Sequence, residues 1–314
     1  MSQMRAPYRP TALNALRARA LLRSAARLVR EDRTSTAEIV AREPELGSVS
    51  VEDVSLPGPH GPVPVRLYCR EGQTPSAGFV WVHGGAWMFG TLDSPEAHWV
   101  AMSIAARGIA VASVDYRKVR GRVSFPVLSD DVLTAWRWVR ANASSRLGTA
   151  PEHLHLGGAS AGANLAAGVA KRLIAAGEDL PATLVVAYPL VHFQLPPLPD
   201  DVRAALERTP PPFRFTPRMV SMLNLNWAGV RHHDDPVAFP GLGPLDRMPP
   251  TFIVDAEADE LRASSTVFAA ALADAGVDVR HETVPGTFHG YLAQPETPGA
   301  RDGVHRIVSW IGQY

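Results

Sequence analysis

From Ala77 onward the chain repeatedly sets a short apolar run ahead of a segment long enough to form a helix. The runs are Phe79-Val-Trp-Val, Ile109-Ala-Val-Ala-Ser-Val, Leu154-His-Leu, Leu184-Val-Val-Ala-Tyr, Thr251-Phe-Ile-Val and Val277-Asp-Val-Arg-His. Runs of this length read as strands, and alternation with helices implies a mostly parallel sheet covered on both faces. Two alternating runs precede them, Val49-Ser-Val-Glu-Asp-Val and Val63-Pro-Val-Arg-Leu-Tyr, separated by the turn-rich Pro57-Gly-Pro-His-Gly-Pro. They predict an antiparallel opening pair, for an α/β fold with eight strands.

The interval 191–249 breaks this rhythm with prolines at 196, 197, 199, 210, 211, 212, 217, 236, 240, 244 and 249. Arg218 to Val230 still has helical character and carries Met219, Met222, Leu223, Leu225 and Trp227. The insertion is therefore expected to form a lid over the C-terminal edge of the sheet. The first 30 residues contain Arg5, Arg9, Arg17, Arg19, Arg23, Arg27 and Arg30 and no acidic residue, a composition shared with organellar transit peptides. Leu13, Leu16, Leu21, Leu28 and Val29 nevertheless form a rough helical stripe, which predicts a helix packed onto the domain with its arginines in water.

Lys+Arg and Asp+Glu balance at 31 each, so charge offers no basis for a nucleic-acid or anionic-membrane partner. No run approaches the roughly 20 apolar residues of a membrane span. Cys69 is the only cysteine, which excludes an internal disulfide; within its strand it reads as a small apolar filler. These features together suit a cytoplasmic setting.

Gly158-Ala-Ser160-Ala-Gly162 has the pattern of a nucleophile elbow, a serine presented at a tight strand-to-helix turn. Composition alone would produce the pattern about 0.1 times in such a chain, so context must carry it. His153-Leu-His-Leu-Gly leads in as a strand, and Asn164 to Ala175 leads out as a helix. His83-Gly84-Gly85-Ala86-Trp87 follows the strand Phe79 to Val82, where a loop can aim backbone N–H groups at the oxyanion of an acyl intermediate. Gly84 and Gly85 are the expected donors there, joined by Ala161 at the N-terminus of the next helix.

A serine nucleophile needs a base and an orienting acid, expected in the order acid then histidine after later strands. His281 falls inside a strand and His305 inside the last helix, whereas His289 lies in the loop Gly286-Thr-Phe-His-Gly-Tyr. Asp259 follows the strand Thr251 to Val254 and is the preferred acid, ahead of Glu257 and Asp255. Trp87, Met88 and Phe89 beside the oxyanion loop, with Phe213, Phe215, Met222 and Trp227 in the insertion, are candidates for an apolar substrate pocket or for ordinary packing; Trp87, Phe89, Met222 and Trp227 lead that group. The reading requires no metal and no organic cofactor, and the adjacent ligands of His232-His-Asp-Asp235 are poorly spaced to converge on an ion.

From about Gly78 to its end the chain resembles the hormone-sensitive-lipase-like bacterial esterases of the α/β-hydrolase superfamily. The resemblance rests on His83-Gly-Gly-Ala-Trp-Met-Phe-Gly90, Val114-Asp-Tyr-Arg117, Phe125-Pro126 with Asp130-Asp131, Gly158-Ala-Ser-Ala-Gly162, Asp259-Glu-Leu-Arg262 and His289-Gly-Tyr291. It implies an α/β-hydrolase fold with a helical cap, and a carboxylesterase with Ser160, Asp259 and His289 as triad and Gly84, Gly85 and Ala161 as oxyanion hole. It divides the chain into N-terminal cap helices at 1–46, a catalytic domain at 47–190 and 250–314, and a cap insertion at 191–249. A small-molecule ester is the implied substrate, with a homodimer compatible; transfer or hydrolysis of another acyl bond (amide, lactone, thioester) is the alternative chemistry. Departures from the family pattern are Ala86 for the third glycine, Ala159 for the usual acid, Ala163 for a glycine, Lys118-Val-Arg-Gly-Arg for Leu-Ala-Pro-Glu, and Asp259-Glu-Leu-Arg-Ala263 for Asp-Pro-Leu-Arg-Asp, which lacks the second acid.

Overall fold

A computed structural model describes residues 32–207 and 214–314, with scattered positions between 11 and 22. Its sheet has eight strands: β1 (Val49–Leu56), β2 (Val63–Arg70), β3 (Ala77–Val82), β4 (Ile109–Val114), β5 (Leu154–Ala159), β6 (Leu184–Ala187), β7 (Thr251–Ala258) and β8 (Val279–Phe288). Their spatial order is β1-β2-β4-β3-β5-β6-β7-β8. β2 runs antiparallel to β1 and β4, and β3 to β8 are parallel, as the opening pair and the later alternation predict.

Every residue of β3, β4, β5 and β6 is buried. Such strands read as continuous apolar runs because helices cover both faces. Alternate side chains separate to two cores: Val80 and Val82 enter one cluster, Phe79 and Trp81 the other. The first is completed by α3 (Val127–Ala141), α4 (Ala161–Ala176) and α7 (Arg262–Asp274), the second by α2 (Pro95–Ala105) and α8 (Pro298–Ile311). A short α1 (Thr36–Arg42) starts at a capping box in which Ser35 and Glu38 satisfy each other's backbone N–H groups.

Between β6 and β7 lie α5 (Asp200–Leu206) and α6 (Pro217–Trp227). Thr216 caps α6 by accepting from the Met219 N–H, and Pro217 follows at the position where its missing N–H costs nothing. The N-terminal stripe is corrected by the structure: Leu13, Leu16 and Leu21 are exposed, whereas Ala18 and Leu22 pack on the core. The inward face is offset from the one the leucines define. Leu28 and Val29 lie outside the described residues.

Candidate active site

β5 ends at Ala159 and α4 begins at Ala161, so Ser160 alone makes the turn, at φ 51° and ψ −115°. A positive φ costs a residue with a Cβ about 1–2 kcal/mol, so the surroundings must hold it. The Ser160 N–H donates to the carbonyl of Ala187 at the end of β6, 2.8 Å away. Two residues on, a Cβ at Gly162 would stand 2.0 Å from the Val82 carbonyl oxygen, so only glycine lets α4 approach β3 this closely.

β7 and β8 both extend beyond their predicted ends, and a β-bulge between Ala256 and Ala258 brings Ala258 opposite Phe288. Asp259 and His289 are each the next residue, so they emerge side by side. His289 Nδ1 lies 2.6 Å from Asp259 Oδ2, and its Nε2 lies 2.9 Å from Ser160 Oγ. A carboxylate can only accept, so Nδ1 carries the proton and Nε2 is left to accept from the serine hydroxyl. Burial opposes charge on His289, but the charge and hydrogen bond of Asp259, with Glu96 and Asp255 farther off, hold its pKa above the ordinary value.

The other candidate acids are occupied elsewhere. Asp255 is buried and accepts from Ser265 at 2.8 Å and from His281 at 2.7 Å, and Glu257 accepts from the Gly286 N–H at 2.6 Å. His281 lies within β8 and His305 within α8, as expected.

Gly84 is corrected as an oxyanion donor, because its buried N–H already donates to Glu96 Oε2 at 2.6 Å. The amides of Gly85, Ala86 and Ala161 make no hydrogen bond to any described residue. Three consecutive positive φ values, 105° at Gly85, 52° at Ala86 and 61° at Trp87, turn this loop back on itself. Tyr116 braces it by donating toward the carbonyls of His83 and Gly84 at 3.0 and 2.8 Å. His83 Nδ1 lies 2.7 Å from the same Gly84 carbonyl, which can only accept, so Nε2 is free to receive the Lys118 ammonium at 3.3 Å. Lys118 also bonds Asp115 at 2.8 Å and is thus turned into the loop rather than toward a substrate.

Glu96 and Tyr188 escaped the sequence reading. Glu96 sits in the first turn of α2, where an acid after Pro95 looks like ordinary helix-start chemistry. Its Oε1 accepts from the Tyr188 hydroxyl at 2.6 Å, and the Tyr188 ring meets His289 edge-on at 5.0 Å between centroids. Neither long-range partner leaves a local pattern.

The pocket candidates divide. Trp87 and Trp227 are each 1% exposed and stack on one another at 5.3 Å, so their faces are used up in joining the oxyanion loop to α6. Phe89 and Met222 stay half-buried. Phe215 lies against His289 with ring centroids 4.3 Å apart, and Phe213 falls outside the described residues. Among the described residues no group of three or more His, Cys, Asp and Glu side chains is placed to hold a metal ion, and no helix is long and apolar enough to cross a membrane.

The alpha/beta hydrolase fold family matches residues 79–293. Similar proteins include an ethyl acetate hydrolase of Pseudomonas putida, 29% identical over 293 residues covering 91% of this chain and 89% of that one. Carboxylic ester hydrolase LipN of Mycobacterium tuberculosis is 29% identical over 271 residues, covering 83% of this chain and 69% of that one. Among solved structures, carboxyl esterase 2 of the fungus Tuber melanosporum superposes with TM-score 0.77 at 25% identity, covering 91% of each chain. With the motifs of the hormone-sensitive-lipase-like group and the family match spanning more than half its length, the chain belongs to that branch of the α/β-hydrolases.

Proposed function

We propose that the protein is a serine carboxylesterase acting on small-to-medium acyl esters, with Ser160 as nucleophile, His289 as general base and Asp259 as its orienting acid. One observation carries the reading: the unbroken hydrogen-bonded line from Ser160 Oγ through His289 to Asp259, at 2.9 and 2.6 Å. Ester hydrolysis is the activity named for the ethyl acetate hydrolase and LipN, and it is the chemistry such a line performs.

His289 Nε2 takes the Ser160 proton as Oγ attacks the ester carbonyl, and Asp259 stabilises the imidazolium that forms. The oxyanion is received by the amides of Gly85, Ala86 and Ala161, each such donor contributing about 3 kcal/mol to the transition state. His289 then protonates the leaving alcohol, and water, activated by the same imidazole, releases the acid from the acyl-serine. Residues 191–249 serve as the cap over this site, with the 1–46 segment as its N-terminal companion. A reducing, cytoplasmic compartment suits a chain whose one cysteine, half-buried Cys69, has no internal partner.

Hydrolysis of p-nitrophenyl esters from acetate to decanoate, with Ser160→Ala and His289→Ala alongside, tests the assignment. Both variants are expected to lose activity by several orders of magnitude and Ser160→Ala to lose fluorophosphonate labelling. A folded wild-type protein that is inert on the whole series and unlabelled would remove it.

A further inference from the structure

Glu260 follows the triad acid directly and stands where the resembled family carries a proline. It is 1% exposed, and both of its oxygens are engaged by the segment leading into α6. Oε1 accepts from Arg214 Nε, and Oε2 accepts from the Phe215 N–H at 2.9 Å. Arg214 also reaches the Leu206 carbonyl at the end of α5, 3.2 Å away. Arg262, two residues beyond Glu260, adds a tie to Asp201 of α5 at 2.8 Å. The loop that supplies Asp259 therefore also holds the first turn of α5 and the segment that leads into α6.

The consequence falls on Phe215. Its backbone N–H is held by Glu260 while its ring lies 4.3 Å from the His289 ring. In ester cleavage His289 gives its proton to the departing alkoxide, so the alcohol portion must pass beside that imidazole. A ring anchored there stands where the bulk of the alcohol would pass. We propose that Glu260 is a positioning residue for substrate selectivity: by clamping Arg214 and Phe215 it fixes the Phe215 ring against His289 and restricts the alcohol side of the ester. The proposal rests on the esterase reading above.

The test compares two ester series on the purified full chain. One holds the acyl group at butyrate and varies the alcohol through ethyl, benzyl and 2-naphthyl; the other holds the alcohol at p-nitrophenol and varies the acyl group. Glu260→Ala is expected to raise kcat/KM for the naphthyl ester relative to the ethyl ester by roughly tenfold, mainly through KM, and to leave the acyl-length profile unmoved. Phe215→Ala should reproduce the shift, and the double variant should add little to either. Arg214→Ala approaches the same clamp from the other side and serves if Glu260→Ala does not fold. An unchanged alcohol profile in Glu260→Ala and Arg214→Ala, with wild-type activity intact, overturns the proposal alone. A uniform fall in kcat on every ester also overturns it, by assigning Glu260 to support of Asp259. Wild-type protein inert on both series and unlabelled by fluorophosphonate would instead overturn the esterase reading.

Discussion

The Tyr188 hydroxyl donates to Glu96 at 2.6 Å while the ring of the same tyrosine meets His289 edge-on. Glu96 thereby joins the two halves of the site, since its other oxygen holds the Gly84 N–H of the oxyanion loop. Its negative charge favours the imidazolium form of His289. As a base His289 must be neutral, so kcat/KM is lost as pH falls through its raised pKa, and the acid limb of the profile is expected above the ordinary histidine value of 6.5. Glu96→Gln removes a charge that raises this pKa, so the limb should move to lower pH. A pH profile of kcat/KM for both proteins reads the shift, and an unmoved limb would confine Glu96 to bracing the loop.

Asp259→Asn keeps the shape of the acid but lets an amide N–H face His289 Nδ1. The imidazole is then driven toward the tautomer whose Nε2 cannot accept from Ser160. A fall in kcat of about 10⁴ with KM little changed is expected from steady-state kinetics on a p-nitrophenyl ester. A loss below tenfold would mean that His289 finds its orientation without Asp259.

Ala86 holds φ at 52°, a conformation suited to glycine, in a loop where the resembled family carries glycine. Relief of left-handed strain, about 1–2 kcal/mol, outweighs the roughly 0.5–1 kcal/mol that glycine adds to unfolded-state entropy. Ala86→Gly should therefore raise stability by up to about 1.5 kcal/mol, read as a higher urea midpoint, while Ala86→Val lowers it. Both retain the backbone N–H.

Lys118 connects Asp115, the Tyr116 carbonyl and the buried His83 in one cluster under the oxyanion loop. Burial works against the Asp115 charge, but its polar contact with His83 and the charge and hydrogen bond of Lys118 hold that carboxyl at about 2. Lys118→Met leaves all three partners without this donor and should cost about 1–3 kcal/mol in urea unfolding at neutral pH. Unchanged stability would show the ammonium to be solvated and without a bracing role.

Much of the site was legible locally. Ser160 stands in a pattern of small residues that only a strained turn requires, and His289 stood apart from His281 and His305 because loop and strand positions differ in periodicity. Asp259 is preferred for its place beyond a strand, and the structure engages the alternatives Asp255 and Glu257 elsewhere. Gly84 misled because the sequence shows which residues lack a side chain but not which N–H groups are already bonded. Trp87 and Trp227 misled for a related reason: aromatic residues flanking a site can face a substrate or each other, and only packing distinguishes the two.

By itself, then, the sequence determined the alternating α/β architecture and the antiparallel opening pair, and it singled out the elbow serine and the acid and histidine proposed as its partners, because each leaves a periodic or short-range signature. The tertiary structure decided what the buried carboxylates do. Glu96 meets Tyr188, 92 positions away, and Glu260 meets Arg214, 46 positions away. Such contacts form only after the sheet has brought distant loops to one edge, and a buried charge must find its partners there or remain uncompensated.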